Sequence, residues 1–185
     1  MRTRVLVGTV AAIAVAALAV ASFALTRDGS SKHGVTKESL TTWEAAIVPV
    51  LQDGGHTVEQ GMKPAVDDLV NRHVVPASVI AREAEGWVIA LTDVRTRVAT
   101  IATPPALSAA ITGFTAALDE YVLAAEDFHA AALAPAGARR DALVASGRAH
   151  GTKADQVYDR GAAVVQHLRH ELGMPASSFF PEGLQ

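Results

Sequence analysis

Apolar side chains recur in alternating steps of four and three residues along three successive segments of this chain. This spacing is typical of a helix face that is buried against neighbouring helices. Pro76 precedes the first segment, residues 103–105 and 135–137 separate the three, and Gly173 follows the last. The pattern therefore predicts three long helices that cross their neighbours at about 20°. The repeating positions are Ile80, Ala84, Trp87, Leu91, Val94, Val98 and Ile101; Leu107, Ile111, Phe114, Leu118, Tyr121, Ala125, Phe128 and Ala132; and Leu143, Gly147, His150, Ala154, Val157, Gly161, Val164 and Leu168.

The region before Pro76 carries a weaker helical pattern. It predicts a short helix over residues 37–52, which the glycines at positions 54 and 55 should end, and a second helix over residues 58–73. Pro49 should kink or shorten the first of these helices, and Pro64 either interrupts the second or begins it. The apolar positions are Leu40, Trp43, Ile47 and Val50, and then Val58, Met62, Val66, Leu69 and His73.

Short connections between the predicted helices imply that consecutive helices are antiparallel neighbours. Alternation of the kind found in strands is absent from the sequence. We therefore expect an all-α fold, an up-and-down antiparallel helical bundle of about four core helices plus a short N-terminal helix. The bundle would occupy residues 36–174, and a C-terminal tail would occupy residues 175–185.

The N-terminal segment is an uncharged apolar run from Val5 to Leu25 with two arginines before it. A helix of this length can cross the roughly 30 Å of a bilayer's hydrocarbon core. We expect residues 1–27 to form a single transmembrane helix that anchors the protein; the alternative is a signal peptide, cleaved after the small residues that precede Ser22 or Leu25. Residues 28–35 form a flexible linker. The arginine-rich start favours a bundle on the extracytoplasmic side, with a cytoplasmic bundle as the alternative.

Composition and missing motifs exclude several classes of function. The chain has 16 lysines and arginines against 19 acidic residues and no basic stripe, so we expect no nucleic-acid partner. The absence of cysteine excludes disulfides, zinc sites with Cys ligands and thiol nucleophiles. The sequence contains no nucleophile elbow, phosphate-binding loop or zinc-protease motif. We therefore expect no enzyme, no catalytic residues and no cofactor.

Two pairs of residues have the spacing of metal ligands. Glu126 and His129 form one Glu-x-x-His motif, which is similar to those of di-iron bundles, but such bundles need two copies and two more inward glutamates. His167 and His170 lie one helical turn apart, and no third ligand is placed to complete a site. Solvated charges explain the first pair and a helix C-terminus explains the second. We expect no metal site.

One group of residues on the repeating faces is a candidate ligand pocket. Folding the helices back at their short loops places Trp87 across from Tyr121, and Tyr121 across from His150. The same folding places Met62 near Trp87. The neighbouring layer consists of small residues, which permit either close helix packing or a cavity with polar groups on its wall. In the packed alternative, His150 only hydrogen-bonds a neighbour such as a tyrosine. The layer contains Val66, Ala84, Ala125 and Gly147.

Three aromatic residues are candidates for contact with a partner. Phe179 and Phe180 precede Pro181, which prevents a helix from continuing. They either fold back over the end of the bundle or stay exposed as an anchor for a partner. Trp43, on the weaker first helix, poses the same alternative.

The order of elements, an apolar anchor, a short linker and an alanine-rich helical bundle that ends in a Leu-Gly turn, resembles membrane-anchored helical proteins of actinobacterial cell envelopes. The resemblance implies a location and carries no functional residues. We expect a membrane-tethered, non-enzymatic protein that binds an envelope protein or forms a homodimer. The alternative is a small-ligand carrier or sensor that binds near Trp87, Tyr121 and His150.

Overall fold

The structure is a computed structural model that describes residues 34–72 and 74–180, and this part of the chain contains helices and no strand. The expected anchor over residues 1–27, most of the linker and residues 181–185 lie outside the described residues. Among the described helices, none combines the length and the apolar character needed to cross a membrane. The elements are α1 (Lys37–His56), a π-helical turn (Thr57–Met62), α2 (Lys63–Asp67), a second π-helical turn (Asp68–Arg72), α3 (Ala77–Thr100), a 3₁₀ turn (Pro105–Leu107), α4 (Ser108–Leu133) and α5 (Ala138–Glu171).

The predicted break at residues 53–55 is wrong, because α1, both π-helical turns and α2 form one continuous helix over residues 37–72. We call it the first bundle helix. Gly54 is buried, and a Cβ atom added to it would lie 3.3 Å from a methyl of Val94 and 3.4 Å from one of Leu118. This glycine therefore permits close packing and does not end the helix. The described chain consequently has four bundle helices without the separate short N-terminal helix.

Prolines are accommodated inside the first bundle helix. Pro49 lies on its exposed side, and the helix continues past it. The first π-helical turn ends at Met62, two residues before Pro64, and the N–H of Lys63 donates to the carbonyl of Val58. A proline lacks the N–H donor and crowds the carbonyl one turn earlier. The wider turn before Pro64 relieves this crowding, so the proline neither begins a new helix nor ends the old one.

Consecutive helices run antiparallel. Gly54 packs beside Val94, whereas Gly61, further along the first bundle helix, packs beside Trp87, which lies earlier in α3. The same reversal joins α4 and α5. Gly161 lies against Phe114, and Gly147 lies against Phe128. Side chains from all four helices and from the tail form one hydrophobic core.

The predicted buried faces are correct on α3 and partly displaced on α5. All repeating positions of α3 from Ile80 to Val98 are buried. On α5 the buried face contains Val144, Gly147, Ala154, Gly161 and Val165. The predicted positions at 143, 150, 157 and 164 are only half-buried there. The contact face of α5 is therefore rotated away from His150.

The two ends of the bundle, here the proximal and the distal end, hold different parts of the chain. The proximal end holds the start of the first bundle helix, where Thr36 and Ser39 form a capping box, and the C-terminal tail. The distal end holds residues 74–76, before α3, and the connection over residues 134–137. Any segment before residue 34 therefore joins the bundle at its proximal end.

Candidate functional site

The four candidate pocket residues are divided between a cleft and its surroundings. Met62 and Tyr121 line a cleft between the first bundle helix and α5, with α4 as its floor. Trp87 is buried behind the first bundle helix, and a Cβ atom on Gly61 would lie 2.9 Å from its indole Nε1. Neither Trp87 nor His150 lines the cleft. The predicted group of four is thus not a single site.

His150 contacts acidic residues on α4. Its Nδ1 lies 2.7 Å from Oε2 of Glu120, and its Nε2 lies 4.0 Å from Oδ2 of Asp127. Lys153 also binds Glu120, at 2.6 Å. The hydrogen bond from Lys153, followed by that from His150, lowers the pKa of Glu120. This cluster lies on a different face of α5 from the residues of the cleft.

Tyr121 lies at the edge of the cleft with its hydroxyl donating to the carboxylate of Asp155 on α5. Burial raises the pKa of Tyr121, and the hydrogen bond to Asp155 raises it further. The phenol therefore stays neutral, and its ring contributes apolar surface to the cleft wall. The bond also ties α4 to α5 beside the opening.

The cleft is mostly apolar inside and polar at its rim. Its volume is about 380 Å³. This lies at the small end of the range found for ligand sites, roughly 300–1,000 Å³. The lining residues are Val58, Met62 and Val66 from the first bundle helix; Tyr121, Ala124 and Phe128 from α4; Gly147 and Gly151 from α5; and, at the rim, Lys63, Asp67, Arg148, Thr152 and Asp155.

Most charged side chains at the rim have a partner of their own. Lys63 forms an ion pair with Glu59, and Asp67 accepts hydrogen bonds from Arg72 and from Asn71. Asp155 accepts from Tyr121. Arg148 differs. Its exposed guanidinium has no hydrogen-bond or ion-pair partner among residues 34–72 and 74–180.

Two glycines of α5 shape the cleft in different ways. A Cβ atom on Gly147 would lie 2.5 Å from the ring of Phe128, so this glycine lets the ring pack against the helix backbone. A Cβ atom on Gly151, one turn later, would meet nothing within 4 Å. Because glycine destabilises a helix interior relative to alanine, Gly151 keeps space open at a cost to helix stability of about 1 kcal/mol.

The distal end carries a second cleft and several exposed apolar side chains. Val74, Val75 and Leu133 are 78%, 38% and 65% exposed. The buried carboxylate of Asp68 accepts from the backbone N–H groups of Val74, at 3.3 Å, and of Val75, at 2.7 Å. The second cleft has a volume of about 440 Å³ and is lined by Leu69, Val70, Ala136, Gly137, Arg140, Asp141, Val144, Ala145 and Arg148.

The tail folds back over the proximal end. Phe180 is 0% exposed and stacks on Phe114 and Trp43, with ring centroids 5.6 Å and 6.5 Å apart. Trp43 is itself only 3% exposed, and its indole donates to Thr103. Phe179 is half-buried and packs edge-on against Phe180. Of the three candidates for partner contact, Trp43 and Phe180 belong to the core, because the tail covers the bundle end.

The described residues offer no metal site, since no group of three or more His, Asp or Glu side chains among them could hold a metal ion. His129 lies 3.6 Å from Glu85, and His167 lies 3.5 Å from Glu171. Each of these histidines is therefore close to one carboxylate.

Comparisons with protein-family models, with curated proteins and with solved structures found no match to this chain.

The cleft residues that reasoning from the sequence missed include Arg148, Gly151 and Asp155. All three lie off the repeating positions that we expected α5 to bury, so the pattern gave no reason to choose them. A usable signal was present in the pair of glycines at 147 and 151, one helical turn apart in a long helix. Such glycines are unfavourable unless a neighbour approaches closely or space is needed.

Proposed function

We propose that this protein is a non-enzymatic helical bundle that is held at the membrane by its N-terminal segment, on the extracytoplasmic side, and binds an envelope protein or a second copy of itself through its distal end. The observation that carries the proposal is the group of exposed apolar side chains at that end. Val74 and Leu133 are the two most exposed large apolar residues there.

The position of this group suits a tethered protein. The chain before residue 34 joins the bundle at the proximal end, so an anchor there would leave the distal end facing away from the membrane. Burying an exposed valine or leucine side chain on binding contributes about 1.5–3 kcal/mol. A partner that covers Val74, Val75 and Leu133 together therefore gains several kcal/mol before polar contacts are counted.

The loop that displays Val74 and Val75 is held by Asp68. Asp68 is the described chain's one buried charged side chain, and both of its oxygens bind backbone N–H groups of the loop. A surface that is ordered before binding loses less conformational entropy when the partner arrives. The hydrogen bonds to Asp68 thus reduce the entropy that is lost when a partner binds the Val74–Val75 loop.

A photo-crosslinking amino acid placed at position 74 of the full chain in its own host tests the proposal. We expect one defined adduct, at twice the chain mass for self-association or at another single mass for a partner. The matched control is position 89, because Ile89 is 71% exposed on the side of α3.

The adduct should also depend on its neighbours. Leu133→Asp should abolish it, since a charge at an apolar contact must be desolvated, whereas Ile89→Asp should leave it unchanged. Both changes are at exposed positions and should preserve the fold. Equal labelling from positions 74 and 89, or an adduct that survives Leu133→Asp, would show that the distal end is not the binding surface.

A second candidate function, a small-ligand carrier or sensor, is supported by the cleft beside Met62 and Tyr121. The cleft reaches apolar core residues on α4 and opens between two helices. Its place differs from the prediction, because Trp87 and His150 stand outside it. Its lining supplies the apolar walls and the few polar groups that small-molecule sites share.

A further inference from the structure

We propose that the cleft between the first bundle helix and α5 binds a single-chain amphiphile with an anionic head, and that Arg148 holds the head. The inference rests on the second candidate function, a ligand in the cleft. It adds the chemical class of the ligand and the residue that selects it.

The inner surface of the cleft fits a hydrocarbon chain. Val58, Met62 and Val66 form one wall and Phe128 and Ala124 form the floor, so the deep part has no ionised side chain. Methionine is flexible and adapts to chains of different shape. Because each CH₂ group that is buried contributes about 0.8 kcal/mol, affinity should rise with chain length until the cleft is filled.

The charges at the rim select the head group. Lys63 and Asp67 each form an ion pair within the described residues, and the carboxylate of Asp155 keeps its charge but is held by the hydroxyl of Tyr121. Arg148 lines both this cleft and the second cleft, and its guanidinium is free among the described residues. A carboxylate, phosphate or sulfate at the mouth could accept two of its N–H groups at once.

Space at Gly151 supports a ligand rather than a packing defect. This residue faces the opening between Gly147 and Asp155, and any side chain there would enter empty space. An alanine would stabilise the helix, yet it would narrow the entrance beside Arg148. Gly86, an exposed glycine of α3 with nothing within 4 Å of an added Cβ atom, provides a matched position outside the cleft.

The absence of cysteine from the chain allows a direct test. The full chain carrying Thr152→Cys, in phosphatidylcholine nanodiscs, has a single thiol at the rim of the cleft, in place of a side chain of similar size, and the rate of its reaction with a maleimide reports access to the cleft. We expect decanoate to slow this reaction about tenfold once its free concentration reaches about ten times the dissociation constant, because only the unliganded protein reacts. The reaction of the Gly86→Cys variant should not change.

Three comparisons separate the parts of the proposal. Octanoate should protect less than decanoate, since its chain buries fewer CH₂ groups. Decyltrimethylammonium has a ten-carbon chain, as decanoate does, but a cationic head, and it should protect weakly or not at all. Arg148→Met in the Thr152→Cys background should weaken protection by decanoate about tenfold or more, because the charge-assisted hydrogen bonds are lost.

Each contrary result has its own meaning. If no amphiphile of either charge slows the reaction, the cleft binds no such ligand and the second candidate function fails with the inference. If the cation protects as well as decanoate, or Arg148→Met changes nothing, the cleft is a ligand site but the anionic class and the role of Arg148 are wrong. Crosslinking from position 74 is independent of all these outcomes.

A stability measurement guards against artefacts of labelling. Decanoate should raise the Tm of the unlabelled protein and of Gly86→Leu, because both retain an open cleft. Gly151→Leu fills the entrance and should abolish the increase while leaving the protein folded. An equal increase in both leucine variants would overturn the proposal, since the amphiphile would then be stabilising another part of the molecule.

Discussion

The proximal and distal halves of this bundle use the same four helices but pack them differently. At the proximal end, Phe180 from the tail is fully buried between Trp43 and Phe114. There the first bundle helix is also joined to α5 by an ion pair between Glu44 and Arg169, at 2.5 Å. Toward the distal end the first bundle helix and α5 leave a cleft between them.

The side chains between two helices, and not the heptad spacing alone, therefore decide whether the helices pack closely. The first bundle helix changes to π-helical turns beyond His56, beside the cleft. The facing part of α5 has Gly147 and Gly151, which provide no side chain to fill the gap. Wider turns and missing side chains therefore coincide where the bundle opens, and such turns are frequent at functional sites.

The largest contrast between the halves should come from truncating their phenylalanines. Phe114→Ala, in the closed half, should lower the free energy of unfolding by about 3–5 kcal/mol, because it leaves a cavity in rigid surroundings. Phe128→Ala, beside the cleft, should cost about 2 kcal/mol, since that cavity merges with open space and mainly the transfer term is lost. Urea denaturation of both variants measures the difference. Equal losses would mean that the cleft is closed in solution.

The ion pair at the proximal end should give the next largest effect. Glu44 and Arg169 are each less than one-seventh exposed, and Arg169 also donates to the carbonyl of Pro175 in the tail. Arg169→Met should cost about 2 kcal/mol, because it leaves a largely buried carboxylate unpaired.

The control for this prediction is the exposed pair between Arg97 and Asp53. Arg97→Met should cost less than about 1 kcal/mol, as is usual for pairs at the surface. Adding Glu44→Gln to Arg169→Met should recover part of the loss, since the unpaired charge is then removed. If the two arginine variants lose the same stability, the proximal pair is no more buried in solution than the surface pair.

Two glycines of α5 should respond in opposite directions to the same change. A Cβ atom on Gly161, in the closed half, would lie 3.0 Å from the carbonyl of Ala110 and from the ring of Phe114. Gly161→Ala should therefore destabilise the protein by about 1–2 kcal/mol, because a backbone must move. Gly151→Ala has open space and should stabilise it by about 0.5–1 kcal/mol. Thermal and urea unfolding of the pair would test this, and a loss at position 151 would contradict an open cleft.

Much of the burial could be predicted from the sequence, because it follows helical periodicity along the length of a helix. The positions from Ile80 to Val98 illustrate this on α3. The continuity of the first bundle helix could not be predicted in the same way. Gly54 is followed by a second glycine, and such a pair often ends a helix. Only the contact with Val94 shows that Gly54 packs inside a continuous helix.

The candidate site was predicted only in part, for a related reason. Met62 and Tyr121 lie on repeating faces and were identified, but the rotation of α5 could not be read from its pattern. His150 occupies a repeating position and binds Glu120 on another face, whereas Arg148 and Asp155 occupy positions that look like solvated surface. A cleft depends on where helices separate, and periodicity describes only where they meet.

The smallest expected effect tests whether the opening is confined to one side of α5. On its other flank, α5 is joined to α4 by Glu120, whose pKa is lowered by Lys153 and then by His150. A lowered pKa in the folded state stabilises the protein above the ordinary glutamate value of 4.5, and this contribution is lost as the pH falls through the lower folded pKa. The difference in unfolding free energy between the natural chain and Glu120→Gln should therefore be constant near neutral pH and shrink below pH 4.5. A pH-independent difference for Glu120→Gln would mean that α4 and α5 also separate on this flank in solution.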